Sequence, residues 1–93
     1  DTVKAHSLRR GAAEAMEIVV HGDSKTSKVV SRTIEEIKSP PGVTLAALVR
    51  DGEVIIAHHD TVVKNNDHAI VFVVDKRRTR EVEKLFAVGF TFF

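Results

Sequence analysis

Cysteine, tryptophan and tyrosine are absent from this sequence, which also has only two prolines. Without cysteine, disulfide bonds, thiolate nucleophiles and thiolate metal sites are excluded, and the chain is compatible with a reducing compartment. The sequence lacks an apolar run of the roughly 20 residues that a helix needs to cross a bilayer, and it lacks a signal-peptide pattern. These absences predict a soluble domain without covalent cross-links.

A strong charge of either sign is also missing, since 14 basic and 13 acidic residues give a net charge of +1. No global field would hold nucleic acid or an anionic membrane, so any partner must be recognised locally. The length of 93 residues suits one small domain, and a hydrophobic share of 43% is typical of a globular fold. Because the chain begins at Asp1 without an initiator methionine, we expect it to be a piece of a longer protein.

The beginning of the chain carries two strand patterns on either side of a helix pattern. Residues 2–7 alternate weakly between apolar and polar side chains, which predicts a short strand. Residues 8–16 are rich in alanine and glutamate, which favours a connecting helix. A β-branched run then predicts a strand over residues 16–21, ending at Gly22, and we place the start of the compact domain there.

The clearest helix pattern covers residues 27–38. Its apolar side chains share one helical face, at Val29, Val30, Ile34 and Ile37. The following Pro40-Pro41-Gly42 cannot continue a helix, so the pattern predicts a helix that ends before it. The candidate N-caps are Asp23, Ser24, Thr26 and Ser27.

Strand patterns dominate the middle of the chain. Residues 43–50 and 53–57 flank Asp51-Gly52, a dipeptide preferred in two-residue hairpin turns. Residues 69–74 are apolar on both faces, which predicts a strand that is central in its sheet or covered on both sides. The element order predicts an α+β domain, a mainly antiparallel sheet with two helices, preceded by a linker strand and helix.

A second helix is predicted near the end of the chain. Thr79 is the candidate cap, Val82, Leu85 and Phe86 form an apolar stripe, and Gly89 is the candidate end. Four of the five phenylalanines lie in the last eight residues, so the end of the chain is strongly apolar and needs a surface to pack on. They are Phe86, Phe90, Phe92 and Phe93.

The strands carry more apolar surface than this domain can cover by itself. Several of them are apolar on both faces, whereas two helices can hardly cover both sides of a sheet. Twofold pairing of identical chains is the commonest way for a small domain to bury such a surface. The sequence therefore predicts a homodimer.

A resemblance to a known family rests on several of these segments. Residues 27–37 read SKVVSRTIEEI, and Pro41-Gly42-Val43 and a hydrophobic strand follow them. The run DGEVI at 51–55 and the strand led by Asp67 fit the same pattern. Residues 16–86 thereby resemble the C-terminal lobe of RCK domains, the regulators of potassium conductance.

Other segments narrow the resemblance to members of the family that regulate Trk-type potassium-uptake channels. They are SLRRGAAEAME at 7–17, HGD at 21–23, DK at 75–76 and VEKLF at 82–86. The resemblance implies that residues 1–15 are a linker from an N-terminal Rossmann-like lobe that this chain lacks. It implies that residues 16–93 form an RCK C-terminal, or TrkA-C-like, domain.

Two positions depart from the family pattern. Ser31 stands where many relatives have glycine, and Asn66 precedes Asp67 where they have a Gly-Asp pair. Asparagine tolerates a left-handed backbone, so we expect the turn before Asp67 to be kept.

The resemblance implies a regulatory role without catalysis. The domain would belong to the cytosolic subunit that controls a Trk-type potassium-uptake channel, and it would couple the ligand state of the full regulator to potassium transport. Its partners would be a second copy, the other lobes of the regulator and the membrane channel subunit. That subunit would hold it at the inner face of the cell membrane, without direct insertion.

Ligands are expected outside this chain. Nucleotide would bind in the N-terminal lobes of the full protein, and this sequence has no Gly-x-Gly-x-x-Gly motif, so no cofactor is expected in it. The alternative function is a ligand-sensing module that binds a phosphate-bearing effector, such as a cyclic dinucleotide, at its dimer interface. Serine, histidine and aspartate occur without a nucleophile-elbow motif, so we predict no enzymatic activity.

Two groups of side chains are candidates for binding chemistry. His58-His59-Asp60, together with His68 and His21, suggests metal ligands, but neighbouring histidines in an extended segment point to opposite faces, so polar loop residues are the simpler interpretation. The second group places four cations where the last helix begins, and an anion would offset the unfavourable helix dipole there. A phosphate-bearing ligand or an acidic subunit surface would suit them, against a solvated run of charges as the alternative. These residues are Lys76, Arg77, Arg78 and Arg80.

Overall fold

A computed structural model describes residues 2–8 and 12–88 of the chain. Within them, one five-stranded antiparallel sheet with the order β1-β2-β5-β3-β4 is accompanied by a single α-helix and a 3₁₀ turn. The α+β class and the antiparallel sheet predicted from the sequence are confirmed. The elements are β1 (Thr2–Leu8), β2 (Ala13–Val19), β3 (Val43–Arg50), β4 (Glu53–Ile56), β5 (His68–Val73), the 3₁₀ turn (Lys76–Arg78) and α1 (Thr79–Phe86).

Strand β5 is the middle strand, as the run of apolar residues at 69–74 predicted. Its Val71 lies opposite Met16 of β2 on one side and Leu45 of β3 on the other. A bulge follows Leu45, so that Leu48 pairs with Ala69 of β5. Because a bulge adds one residue to a strand, Leu45 and Leu48 face the same side of the sheet although three positions separate them.

The hairpin between β3 and β4 is also confirmed. Asp51 has a φ of 53° and Gly52 a φ of 78°, the two positive values that a type I′ turn requires. A Cβ atom added at Gly52 would meet nothing, so glycine serves the backbone conformation there and not a close contact.

One face of the sheet is covered and carries the core. Ile18 of β2 and Val71 of β5 are buried on that face against a long loop, residues 21–42, and against α1. Burial of α1 follows the stripe predicted for it. The remaining core side chains are Met16, Val20, Val29, Val30, Ile37, Leu45, Leu48, Val63, Ala69, Val73, Val82, Leu85 and Phe86.

The helix predicted over residues 27–38 is wrong. The segment consists of turns, and Ser31, with a φ of 67°, breaks any helical run because a left-handed residue cannot continue it. Its backbone instead bonds to the loop before β5: Ser31 N donates to Val63 O at 2.7 Å and Ile34 N to Thr61 O at 3.0 Å. Val29, Val30 and Ile37 are buried as expected and Ile34 partly so, but long-range pairing within the chain buries them and not a helix. The described residues therefore contain one α-helix and not two.

The connecting helix predicted over residues 8–16 is wrong as well. Residues 9–11 lie outside the described part, but β2 begins at Ala13 and pairs with β1, with Met16 opposite Ala5. Alanine and glutamate favour helix by only tenths of a kcal/mol per residue, roughly, whereas β2 bonds to a strand on each side. The linker strand is thus a strand of the sheet, and the division at residues 15 and 16 stays a prediction.

The start of α1 differs from the prediction in one detail. Thr79 is the first helical residue and not the cap, and Arg78 before it makes no capping bond through its side chain. Asp75 acts as the cap one turn earlier, where its carboxylate accepts from Arg77 N at 3.0 Å. The predicted helix end at Gly89 and the phenylalanines after it lie outside the described residues, and α1 ends at Phe86.

Candidate functional site

The face of the sheet opposite the core is the first candidate surface, and we call it the open face. Side chains alternate between the two faces of a strand, so Phe72 lies on the side opposite the buried Val71 and Val73. Phe72 is 44% exposed. The pairing of β5 with β3 and of β3 with β4 places Val54 and Ile56 of β4 on the same face, where they are 66% and 63% exposed. The open face thus presents apolar side chains to solvent on β4 and β5, the two strands that flank β3.

Strand β4 is also an edge. In the two-residue hairpin, Arg50 and Glu53 form the first hydrogen-bonded pair, and the bond from Ala57 N to Ala46 O at 3.0 Å continues the same alternation. The N–H and C=O groups of Val54 and Ile56 therefore point away from β3. In the sheet of residues 2–8 and 12–88, no strand pairs with them.

A polar contact on the open face joins β2 and β5. The Nδ1 atom of His68 is 2.6 Å from Oε2 of Glu17, and both side chains are partly exposed. His68 was a candidate metal ligand, but its ring engages one carboxylate. No group of three histidine, aspartate or glutamate side chains within the described ranges is arranged to hold a metal ion.

The four cations predicted to bind an anion begin at the 3₁₀ turn. Arg77 places Nε and Nη2 on the carboxylate of Asp75, at 3.0 and 2.8 Å, and these hydrogen bonds lower the pKa of Asp75 to about 2. Arg78 donates to Oε2 of Glu81 at 3.0 Å. Two of the four cations thus have carboxylate partners, and Lys76 and Arg80 remain exposed. Anion binding by this group stays a prediction.

A charged cleft is a further candidate site, and sequence reasoning did not find it. A cleft of about 470 Å³ opens between the loop at residues 28–40 and α1. Its walls come from segments that are far apart in the chain, so no local motif marks it. Charged side chains that line it are Lys28, Arg32, Glu36, Lys38, Glu81 and Lys84.

A buried ion pair fixes the entry into β5. The carboxylate of Asp67, 1% exposed, accepts from Nε and Nη2 of Arg50 at 2.8 Å each and from Lys64 N at 2.8 Å. Burial by itself raises the pKa of Asp67, but the hydrogen bonds from Arg50 and Lys64 outweigh it and hold the pKa below its ordinary value. Asn66 has a φ of 73°, so the left-handed turn expected before Asp67 is confirmed.

Comparison with known proteins identifies the family. A model of the TrkA-C domain matches residues 16–87. The chain is 60% identical over 93 residues to the Trk system potassium uptake protein TrkA of Halomonas elongata, covering 100% of this chain and 20% of that protein. The proteins of the same name from Vibrio alginolyticus and Haemophilus influenzae are 56% and 42% identical over 86 residues, which is 92% of this chain and 19% of each.

The chain spans about a fifth of the length of these relatives. No helix in the described part of the chain is long and apolar enough to span a bilayer. The family match covers every strand from β3 to β5, and it includes α1 and the loop that closes the core. The resemblance predicted from the sequence is confirmed, and this chain belongs to the TrkA-C domain family.

Proposed function

We propose that this chain is a regulatory, non-catalytic lobe of a potassium-uptake regulator, and that it pairs with a second copy of itself. In the full protein it would transmit the ligand state of the other lobes to a membrane potassium channel subunit, at the cytoplasmic side of the membrane. Nucleotide would bind to the other lobes. The family match and the names of the relatives support the regulatory role.

The open face supports the pairing. Its counterpart is covered by the loop and by α1, whereas Phe72, Val54 and Ile56 remain exposed. Isolated exposed apolar residues are normal on any protein, but these three share one face and lie on strands of a single sheet. Such a surface is typical of an interface.

A second copy is the partner that the edge of β4 fits best. Two copies of one strand, placed antiparallel about a twofold axis through Ile55, bring Val54 of each opposite Ile56 of the other. The outward N–H and C=O groups then satisfy one another, and the exposed side chains of the two edges meet. Lysine and proline, which commonly protect an edge strand from such pairing, are absent from β4.

Sedimentation equilibrium of the 93-residue chain over a wide concentration range tests the pairing. We expect a dimer at micromolar concentration. Val54→Lys should shift the chain to monomer, because a lysine that protects an edge would then stand in the interface. The matched control is Val88→Lys. Val88 is also exposed, at 46%, but it follows α1 and lines a pocket together with the core residue Ile18, so it is not on β4. This control should leave the dimer intact.

A strict monomer would contradict the pairing and would point to another lobe of the regulator as the partner of the open face. If Val54→Lys and Val88→Lys shifted the dimer to monomer equally, the interface could not be assigned to β4. The regulatory role has a separate test, namely potassium uptake by cells whose full-length regulator carries Val54→Lys or Val88→Lys. Normal control of uptake in the Val54 variant, despite loss of the dimer, would show that pairing through β4 is not needed for regulation.

A further inference from the structure

The cleft between residues 28–40 and α1 carries more positive than negative charge. Its lining has four cations and two carboxylates. Leu85 and Pro40 add an apolar surface to the same cleft. A concave site of roughly 300–1,000 Å³ with an apolar wall and a few polar groups is the usual form of a small-molecule pocket, and this cleft has that size.

Both carboxylates of the cleft already have partners. Oε1 of Glu36 accepts from Thr33 N at 2.8 Å and from Thr33 Oγ1 at 2.9 Å, and these bonds lower the pKa of Glu36. Oε2 of Glu81 accepts from Arg78, a cation that does not line the cleft. The two carboxylates are therefore engaged with groups other than the lysines of the cleft.

The cations of the cleft are either bonded to neutral acceptors or exposed. Arg32 is held by neutral acceptors, with Nη1 2.7 Å from Ser27 O and Nη2 3.3 Å from Ser24 O, so its charge is fixed in position. Lys28, Lys38 and Lys84 are exposed, and none of them forms an ion pair with a carboxylate of the described residues. The cleft keeps an excess of positive charge, four cations against two carboxylates, at a site whose shape is already formed.

We propose that this cleft binds an organic phosphate. Phosphate oxygens would accept charge-assisted hydrogen bonds from Lys28 of the loop and Lys84 of α1, which both line the cleft. The rest of the ligand, an apolar or aromatic group, would lie against Leu85 and Pro40. The concave shape favours a small molecule over the flat surface of a protein. The site lies within one chain, so it does not rest on the proposed dimer.

Isothermal titration calorimetry of the 93-residue chain at low ionic strength tests this proposal with two probes, inorganic pyrophosphate and ADP. We expect saturable binding of one molecule per chain, with ADP tighter because its ring covers the apolar wall. The double substitution Lys28→Gln and Lys84→Gln should weaken both probes about tenfold, since each lysine supplies a charge-assisted bond. Replacing the same two lysines by arginine should restore binding.

The matched control is Lys76→Gln with Arg80→Gln, which removes the same charge from exposed cations that do not line the cleft. It should leave both affinities within about twofold, a change of only tenths of a kcal/mol. A loss confined to this control would overturn the proposal and assign the anion to the group predicted from the sequence. Equal losses in both variants, or heats that do not saturate with either probe, would also overturn it, and the latter would favour an acidic protein partner.

Discussion

Replacing Asp67 by asparagine should destabilise the domain more than any other single change of one carboxylate to an amide. Asparagine has nearly the same shape but no charge, and one of its two terminal groups is a donor. Asp67 receives three hydrogen bonds, two from Arg50 and one from Lys64 N. At least one of these three donors would therefore face the NH₂ group of asparagine instead of an acceptor. The guanidinium of Arg50 would also lose its counter-ion.

The expected size of the effect follows from the exposure of the two partners. Breaking a buried ion pair by removing one member costs about 3–5 kcal/mol. Here Asp67 is 1% exposed but the side chain of Arg50 is 25% exposed and keeps its bond to Val62 O at 2.9 Å, so the stranded charge can still reach water. We therefore expect a loss of about 2 kcal/mol, which lowers the Tm of a domain this small by roughly 8–16 °C.

Urea unfolding followed by circular dichroism measures this loss, and an unchanged m value would show that the unfolded states are comparable. The control is Asp60→Asn, the same substitution at an exposed position in the turn before Thr61, and it should change the free energy of unfolding by less than about 0.5 kcal/mol. If Asp67→Asn is as mild as this control, the ion pair does not hold the entry into β5 and the reasoning is refuted.

The pH dependence gives an independent check on the same residue. The pKa of Asp67 in the folded state lies below its ordinary value of 3.8. A depressed pKa means that the stabilisation is present above the unfolded value and is lost as the pH falls through the folded one. The gap in stability between the native chain and Asp67→Asn should therefore be constant near neutral pH and should narrow below about pH 3.8.

Two further predictions concern local backbone features. Asp75→Ala should lower the Tm more than Thr79→Ala, because the carboxylate of Asp75 caps the 3₁₀ turn, whereas Thr79 closes that turn through its backbone N–H, which alanine keeps. Thermal melting should show the difference shrinking as the pH falls from about 3.8 through about 2, and a larger effect at Thr79 would contradict the assignment. Ser31→Gly should raise the free energy of unfolding by about 0.5 kcal/mol in urea, because it relieves a left-handed serine, whereas Ser39→Gly, at a negative φ, should lower it.

Sequence patterns predicted the elements whose signals are local. Asp51-Gly52 fixes its own turn, and the apolar run at 69–74 predicted a strand that is central or covered on both sides, of which the structure shows the central position. The stripe of α1 is read correctly because each of its residues contacts the core from the same short helix. In these segments the propensity, the apolar spacing and the final packing all agree.

The patterns failed where pairing at long range overrides local preference. Residues 27–38 have helical spacing and do bury Val29, Val30 and Ile37, but their backbone bonds to residues 59–63, and nothing local announces that pairing. Ala13 to Glu17 favour helix and form a strand between β1 and β5. Ser31 departs from the glycine of many relatives, and its positive φ shows that this position takes the left-handed backbone that glycine adopts most easily.

The candidate surfaces likewise divide into features that local sequence predicts and features that depend on the fold. Exposed apolar residues on the open face follow from strand alternation, which the sequence displays. That β4 is an edge depends on strand order, and that Lys28 and Lys84 line one cleft depends on how the loop returns over the core. The predicted cations at the start of α1 were conspicuous because they are neighbours in the chain, while the cleft joins residues that are not.

The two proposed surfaces lie on different parts of the domain, yet a continuous set of bonds runs between them. Arg50 ends β3 opposite Glu53 of β4 and holds Asp67 and Val62 O. The loop after β4 bonds in turn to the backbone of residues 31–35, which borders the cleft. Two sites influence each other only if each ligand binds with different affinity to the two conformations of the protein. Because Asp67→Asn removes the ion pair with Arg50 from this set without altering a residue of either surface, it separates such coupling from binding itself.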